Sequence, residues 1–304
     1  MLLFIEQLLN GFQLGITLFL MSAGLTLIFG IMQVINLAHG SFYMIGAYVG
    51  ATVVGATGSF LLGAVAALGA AATVGMVVEF LVLRHLYDRD HLSQVLATFG
   101  LILFFNELTR MIWGRQPLFM DVPAAISGSV ELLPGLVYPI YRLVIIGVGV
   151  FVAILLWLLF SRTRTGMQIR AGASDRQMIG ALGVNINLLY TLVFGLGTLL
   201  AGLAGVMAGP ILSVESGMGE SILILTFVVI VIGGIGSIRG AVVGALLVGI
   251  VDTMGRAFLP GILRLFLSGS HADSGGAALA SMAIYILMAA VLIWRPRGLF
   301  PAHS

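Results

Sequence analysis

Residues 7–78, QLLNGFQLGITLFLMSAGLTLIFGIMQVINLAHGSFYMIGAYVGATVVGATGSFLLGAVAALGAAATVGMVV, contain no Asp, Glu, Lys or Arg. A helix crosses the hydrocarbon of a bilayer with about 20 residues, so this window holds roughly three crossings. Breakers divide it, since 36–40 (NLAHG) and 55–59 (GATGS) read as turns. Spans are predicted at 9–30, 36–54 and 60–83. The start MLLFIEQLL carries an acidic first charge and no basic stretch, so no cleaved signal peptide is expected.

Composition extends that reading to the whole chain. Of 304 residues, 60% are hydrophobic and 9% charged, and the mean hydropathy is +1.15. A soluble domain carries about 25% charged residues because its surface faces water. A water-soluble enzyme is excluded. Beyond a polar loop at 84–91, a fourth span is expected near 94–113, with Asn106, Glu107 and Arg110 towards its end. Residues 114–140 hold four of the eight prolines and read as an irregular external loop. Further spans follow at 143–161, 189–209, 221–238, 241–259 and 276–294. The fold class is therefore an all-α polytopic membrane protein of 8–10 transmembrane helices, forming a single domain over 1–304. Residues 221–259 leave open a re-entrant segment.

Arginine sets the orientation. All 14 basic residues are Arg, and four of them (162, 164, 170, 176) crowd one loop, which the positive-inside rule places in the cytoplasm. Alternation from there gives nine arginines inside against five outside, with the N-terminus out and the C-terminus in. Arg239 fits this count only at a turn, because an Arg at mid-span costs roughly 2.5–3.5 kcal/mol.

The absences exclude whole chemistries. Without Cys there is no thiolate site, and without Lys no Schiff base and no Walker A loop. ATP, if it drives this protein, must bind another chain. No clustered basic face points to nucleic acid. No catalytic residue, cofactor or metal ligand is assigned, since the histidines outside the first window (85, 91, 271, 303) lack ligand spacing.

Two segments invite function. Asn36, Ala38, His39, Gly40, Ser41 and Tyr43 put polar groups and a glycine into the charge-free window. Irregular backbone at membrane depth survives only where protein or a cavity surrounds it. His39 is either a group on a pathway or a hydrogen-bonding partner for a neighbouring helix. In the loop 161–188, Ser174 is a candidate N-cap and Gly183 a candidate C′ residue, so a short helix is expected between them. Met178, Ile179 and Leu182 would line one strip of it beside Arg170, Asp175 and Arg176. That strip fits either a groove in a partner or the chain's own membrane body. The pairs Asp252/Arg256 and Glu107/Arg110 are spaced to meet on a helix face, both towards outer helix ends. No acid is then expected near the midplane, which speaks against an ion-coupled carrier.

These motifs resemble a known family. Residues 24–48 (GLTLIFGIMQVINLAHGSFYMIGAY) are similar to the N-terminal signature of the branched-chain amino acid ABC importer permeases of the LivH type. Residues 228–249 (VVIVIGGIGSIRGAVVGALLVG) look like the second membrane signature, and 295–300 (RPRGLF) like the ending. Residues 165–187 (TGMQIRAGASDRQMIGALGVNIN) resemble the loop that docks on the ATPase. The resemblance implies an ABC importer permease of the bacterial inner membrane. Its implied partners are a second, paralogous permease, two cytoplasmic ATPase subunits and a periplasmic binding protein. It assigns Arg170, Ala171, Ser174, Asp175, Met178, Ala181 and Gly183 to ATPase coupling, and the 36–43 bend to the translocation path. The implied cargo is a branched-chain or related hydrophobic amino acid. The same architecture carrying urea, short amides or aromatic acids is the alternative, followed by an ion-coupled carrier or channel. His39-Gly40-Ser41 and Arg239-Gly240-Ala241 echo each other, as duplicated halves do.

Overall fold

Charge-free stretches of this length must satisfy their backbone internally, and in lipid the helix does so within one segment. A computed structural model describes residues 1–301. The first helices are α1 (Leu2–Met32), α2 (His39–Thr57), α3 (Phe60–Leu81) and α4 (His91–Trp113). A hairpin of β1 (Ser129–Leu133) and β2 (Leu136–Pro139) precedes α5 (Ile140–Arg162). Then come α6 (Arg164–Ser174), α7 (Arg176–Ala181), α8 (Ile186–Ala208), α9 (Met218–Gly233), α10 (Ile238–Leu263) and α11 (Gly269–Trp294). Helices α1, α3, α4, α5, α8, α10 and α11 are long and apolar enough to cross a membrane. With α2 and α9, nine hydrophobic helices among the described residues stand where the sequence places spans. The 16 residues of α9 reach about 24 Å, short of a hydrocarbon thickness of about 30 Å.

Turn chemistry explains the breaks. Gly58 closes α2 in the left-handed region at φ 68°, and the Ser59 hydroxyl caps α3 by accepting from the Leu62 amide. Between α9 and α10, Gly234 and Gly236 take φ of 105° and 81°, and Ser237 accepts from the Gly240 amide. Arg239 therefore lies at the opening of α10, as the turn reading requires.

Two expectations are corrected. The 114–140 loop is not wholly irregular: β1 and β2 pair antiparallel around Gly135, at φ 84°. The stretch VELLPGLVY carries apolar residues on both sides of a Pro-Gly turn, a hairpin signal that the density of prolines obscures. Asp252 is not near a helix end either, because α10 continues through Pro260 to Leu263 and leaves it near the middle. It is buried there and ion-paired with Arg256 at 2.9 Å. The Glu107–Arg110 pair, at 2.6 Å, does lie in the last turns of α4.

The chain forms two compact units whose segments interleave along the sequence. One comprises 23–123 and 150–224. In it α2 is sheathed by α3 and α8, with nearly every residue from His39 to Ala51 buried. Small residues let the backbones meet, since lipid offers no hydrophobic drive to bring helices together. A Cβ on Gly205 of α8 would lie 2.0 Å from the Tyr43 carbonyl oxygen. The other unit comprises 1–22, 124–149 and 225 onward. There Gly11 and Gly15 of α1 meet the backbone of α10 at Ile250 and Leu246. The Leu299 and Phe300 amides donate to the Ile232 and Gly233 carbonyls, so the RPRGLF motif caps the open end of α9.

Candidate functional site

The bend between α1 and α2 is built from a left-handed residue outwards. Gln33 ends α1 at φ 55°, and it is exposed. Asn36 then turns the chain, its Oδ1 accepting from the Ala38 amide at 3.0 Å, while its Nδ2 finds no partner among the described residues. His39 opens α2 and is fully buried, its ring edge-on to Phe42, which also packs against Phe105 and Phe194. The non-helical segment therefore ends at Ala38, and His39 belongs to the helix.

Polar side chains of α4 hold the bend, with partners about 60 positions away in the chain that no local pattern announces. The Ile35 amide donates to Gln94 Oε1 at 3.3 Å, and the Thr98 hydroxyl, which donates to the Gln94 carbonyl at 2.9 Å, also lies 3.5 Å from the Ile35 carbonyl. Gln94 Nε2 in turn donates to the Leu86 and Arg89 carbonyls. Gln94 and Thr98, one helical turn apart on an apolar span, are the signal that marks this face.

Asn36, Ala38, His39, Gly40, Ser41 and Tyr43 are all buried within one unit. Only Gly40 and Ser41 line the narrow cleft beside the bend. Its other walls include Met44, Ile102, Asn106 and Glu220. Asn106 Nδ2 donates to Glu220 Oε1 at 2.5 Å, joining α4 to the first turn of α9. Gly40 and Gly219 touch backbone to backbone: a Cβ on Gly40 would sit 2.1 Å from the Gly219 carbonyl oxygen.

The second candidate region is two helices, not one. The Asp175 side chain, accepting from the Met178 amide at 2.9 Å, caps α7, while Ser174 is the last residue of α6. Both residue types make good N-caps, but α6 already uses Ser174 in its last turn. Gly183 is the C′ residue as expected, at φ 85°. Its amide donates to the Gly180 carbonyl and that of Val184 to Ile179, the paired bonds of a Schellman close.

All seven residues assigned to coupling, Arg170, Ala171, Ser174, Asp175, Met178, Ala181 and Gly183, are exposed. The expected apolar strip splits: Ile179 turns inward with Ile169, whereas Met178 and Leu182 are 60% and 75% exposed. The inner face anchors the segment and the outer face is left open.

Beneath it, Glu79 at the end of α3 is fully enclosed. It pairs with Arg84 at 3.2 Å and accepts from the Tyr87 and Thr191 hydroxyls at 2.5 and 2.6 Å. Burial, then the hydrogen bond to Glu79, push the Tyr87 phenol far above its ordinary range, so it remains a donor.

The long apolar helices among the described residues, with a polar bend packed between them, make this a polytopic membrane protein. The chain belongs to the family described as branched-chain amino acid transport system / permease component, whose model matches residues 7–293. It is 31% identical over 274 residues to the high-affinity branched-chain amino acid transport system permease protein LivH of Salmonella typhimurium, covering 85% of this chain and 88% of that protein. It is 30% identical over 310 residues to the corresponding permease BraD of Pseudomonas aeruginosa, covering 97% and 95%. The ribose import permease RbsC of Escherichia coli is 27% identical over 263 residues, covering 82% and 77%. No solved structure matches the chain. Membership makes this a multi-pass permease component, a non-enzymatic subunit of the bacterial inner membrane.

Proposed function

We propose that this chain is one permease of an ABC importer that carries branched-chain or related hydrophobic amino acids inward by alternating access. Its partners are a second, paralogous permease, two cytoplasmic ATPase subunits and a periplasmic binding protein. The observation that carries the reading is the exposed face of α6 and α7. Met178 and Leu182 stand open beside Arg170 and Asp175, on an appendage whose inner face is anchored. Two exposed apolar side chains flanked by charges, on a segment anchored from its other face, suit a docking surface for a partner. The Arg cluster at 162–176 supports a cytoplasmic placement of that surface, and with α2 and α9 counted as crossings the N-terminus falls outside and the C-terminus inside.

In this mechanism ATP closes the nucleotide subunits, α6 and α7 move with them, and the bend at 33–38 shifts so that the path opens to one side. The chain supplies no covalent chemistry. Gly40 and Ser41, with Asn106 and Glu220, provide a few polar groups among apolar walls. The buried Asn36 amide holds an unused donor in the same region. Sparse polar contacts favour passage, because a site that binds tightly also releases slowly. The names of the LivH and BraD relatives support the amino acid cargo, and the ribose permease shows that related chains serve another ligand class.

The test is reconstitution with cognate ATPases, second permease and binding protein, measuring ATP hydrolysis across a panel of amino acids, urea and short amides. Stimulation by leucine, isoleucine or valine is expected. Absence of stimulation by every ligand refutes the proposal.

A further inference from the structure

The coupling reading above names the surface that receives the ATPase, but not how its movement reaches the bend. Arg176, the first residue of α7, is the charged side chain of the appendage that reaches the 84–91 segment and α8. Its guanidinium carbon lies 5.2 Å from the centre of the Tyr190 ring and 5.6 Å from that of Tyr87. The two rings meet edge to face, with centroids 5.4 Å apart, and a nitrogen of Arg176 lies 3.6 Å from Asp88. A cation over a ring face within about 6 Å of its centroid is held electrostatically. With two rings side by side, the guanidinium keeps a ring beneath it over a longer displacement than a single hydrogen bond allows.

Both rings lead to the bend. The Tyr190 hydroxyl donates to the Ile31 carbonyl at 3.3 Å, two residues before the left-handed Gln33. Tyr87 donates to Glu79, which also accepts from Thr191, the neighbour of Tyr190 on α8. Tyr87 further belongs to the 84–91 segment whose Leu86 and Arg89 carbonyls hold Gln94 Nε2, while Gln94 Oε1 holds the Ile35 amide. One route thus reaches the residue before the bend and the other reaches its centre.

We propose that Arg176 is the positioning residue through which movement of the coupling helix drives the α1–α2 bend. Asp88 balances its charge, and the Tyr87 and Tyr190 rings serve as its bearing surface. This rests on the assignment of α6 and α7 to ATPase coupling.

The experiment uses the full reconstituted importer in proteoliposomes and reads substrate moved per ATP hydrolysed. Arg176→Ala, Arg176→Lys, Tyr190→Phe and the double variant Arg176→Ala/Tyr190→Phe are compared. Arg176→Ala is expected to co-purify with its ATPases and to lose at least about fivefold in transport per ATP, the low end of coupling between linked sites. Arg176→Lys, which keeps a cation over the rings, recovers part of the loss. Tyr190→Phe keeps the ring and loses only the Ile31 bond, so it lowers the ratio alone and adds little to Arg176→Ala. A wild-type ratio in Arg176→Ala overturns the proposal. Loss of ATPase co-purification also overturns it, since Arg176 would then belong to the docking face itself. Strict additivity of the double variant overturns the shared route. A wild-type complex in which no ligand stimulates hydrolysis refutes the functional reading instead, so the two failures are distinguishable.

Discussion

Replacing Gly40 by Ala tests the packing of the bend directly. The ideal Cβ falls 2.1 Å from the Gly219 carbonyl oxygen and 2.7 Å from its carbon, whereas ordinary contact begins at 3.4 Å. The starts of α2 and α9 must separate by about 1.3 Å, and no rotamer can yield because the obstacle is backbone. Overpacking a dense interior costs about 1–3 kcal/mol, and the better helix propensity of Ala returns about 0.5–1 kcal/mol, so the net loss spans about 0–2.5 kcal/mol and centres on about 1 kcal/mol. Gly69→Ala is the control: Gly69 is exposed on α3, and nothing lies within 4 Å of its added Cβ. That variant should match the wild type or exceed it by up to about 1 kcal/mol. The assay is unfolding of the purified protein in mild detergent by stepwise addition of SDS, followed by circular dichroism. If Gly40→Ala resists SDS as well as Gly69→Ala does, the backbone contact between α2 and α9 is absent from the native protein.

Other perturbations test the remaining parts. Gly183→Pro removes the amide bonded to Gly180 and demands a φ near −65° where the chain has 85°, so it should unravel the α7 close. Gly183→Pro and Arg170→Glu should each abolish uptake while membrane insertion, read by fractionation, stays intact; normal transport with cognate ATPases refutes the coupling assignment. Glu79→Gln weakens a charged acceptor shared by Arg84, Tyr87 and Thr191 and should cost about 1.5–3 kcal/mol in the same SDS titration, nearer the low end because Arg84 is partly exposed. Glu220→Gln should reduce uptake of amino acids, which carry an ammonium group, more than binding-protein-independent leak of urea; equal reductions mean that the Glu220 charge is not read by the cargo.

The spans were legible because lipid allows one solution for the backbone and requires about 20 apolar residues of it. The same logic misplaced Asp252. The eighth span is expected to end at residue 259, just before Pro260, yet α10 absorbs that proline and runs four residues further. The capping of α7 was ambiguous for a local reason, as Ser174 and Asp175 are adjacent and chemically equivalent as caps. Contacts such as Asn106–Glu220 and Thr191–Glu79 join residues 114 and 112 positions apart, and no local pattern announces them. The 161–188 segment was the most readable part of the candidate site, since its cap, its C′ glycine and its exposed apolar residues all lie within twenty positions.

The echo between His39-Gly40-Ser41 and Arg239-Gly240-Ala241 acquires a physical meaning from α9. Each triplet stands at the opening of a helix, α2 in one case and α10 in the other. Each also presents its glycine to a glycine of α9: Gly40 lies against Gly219, and Gly240 against Gly233. The added Cβ would fall 2.1 Å from carbonyl oxygen in the first contact and 2.2 Å in the second. A helix of 16 residues is too short to hold its place by lipid burial alone. Backbone contacts at its first and last turns, with the Leu299 and Phe300 amides capping its final carbonyls, supply what length does not. What reads in the sequence as a trace of duplication is thus, at Gly40 and Gly240, also a requirement of packing, because a side chain at either position would meet the backbone of α9.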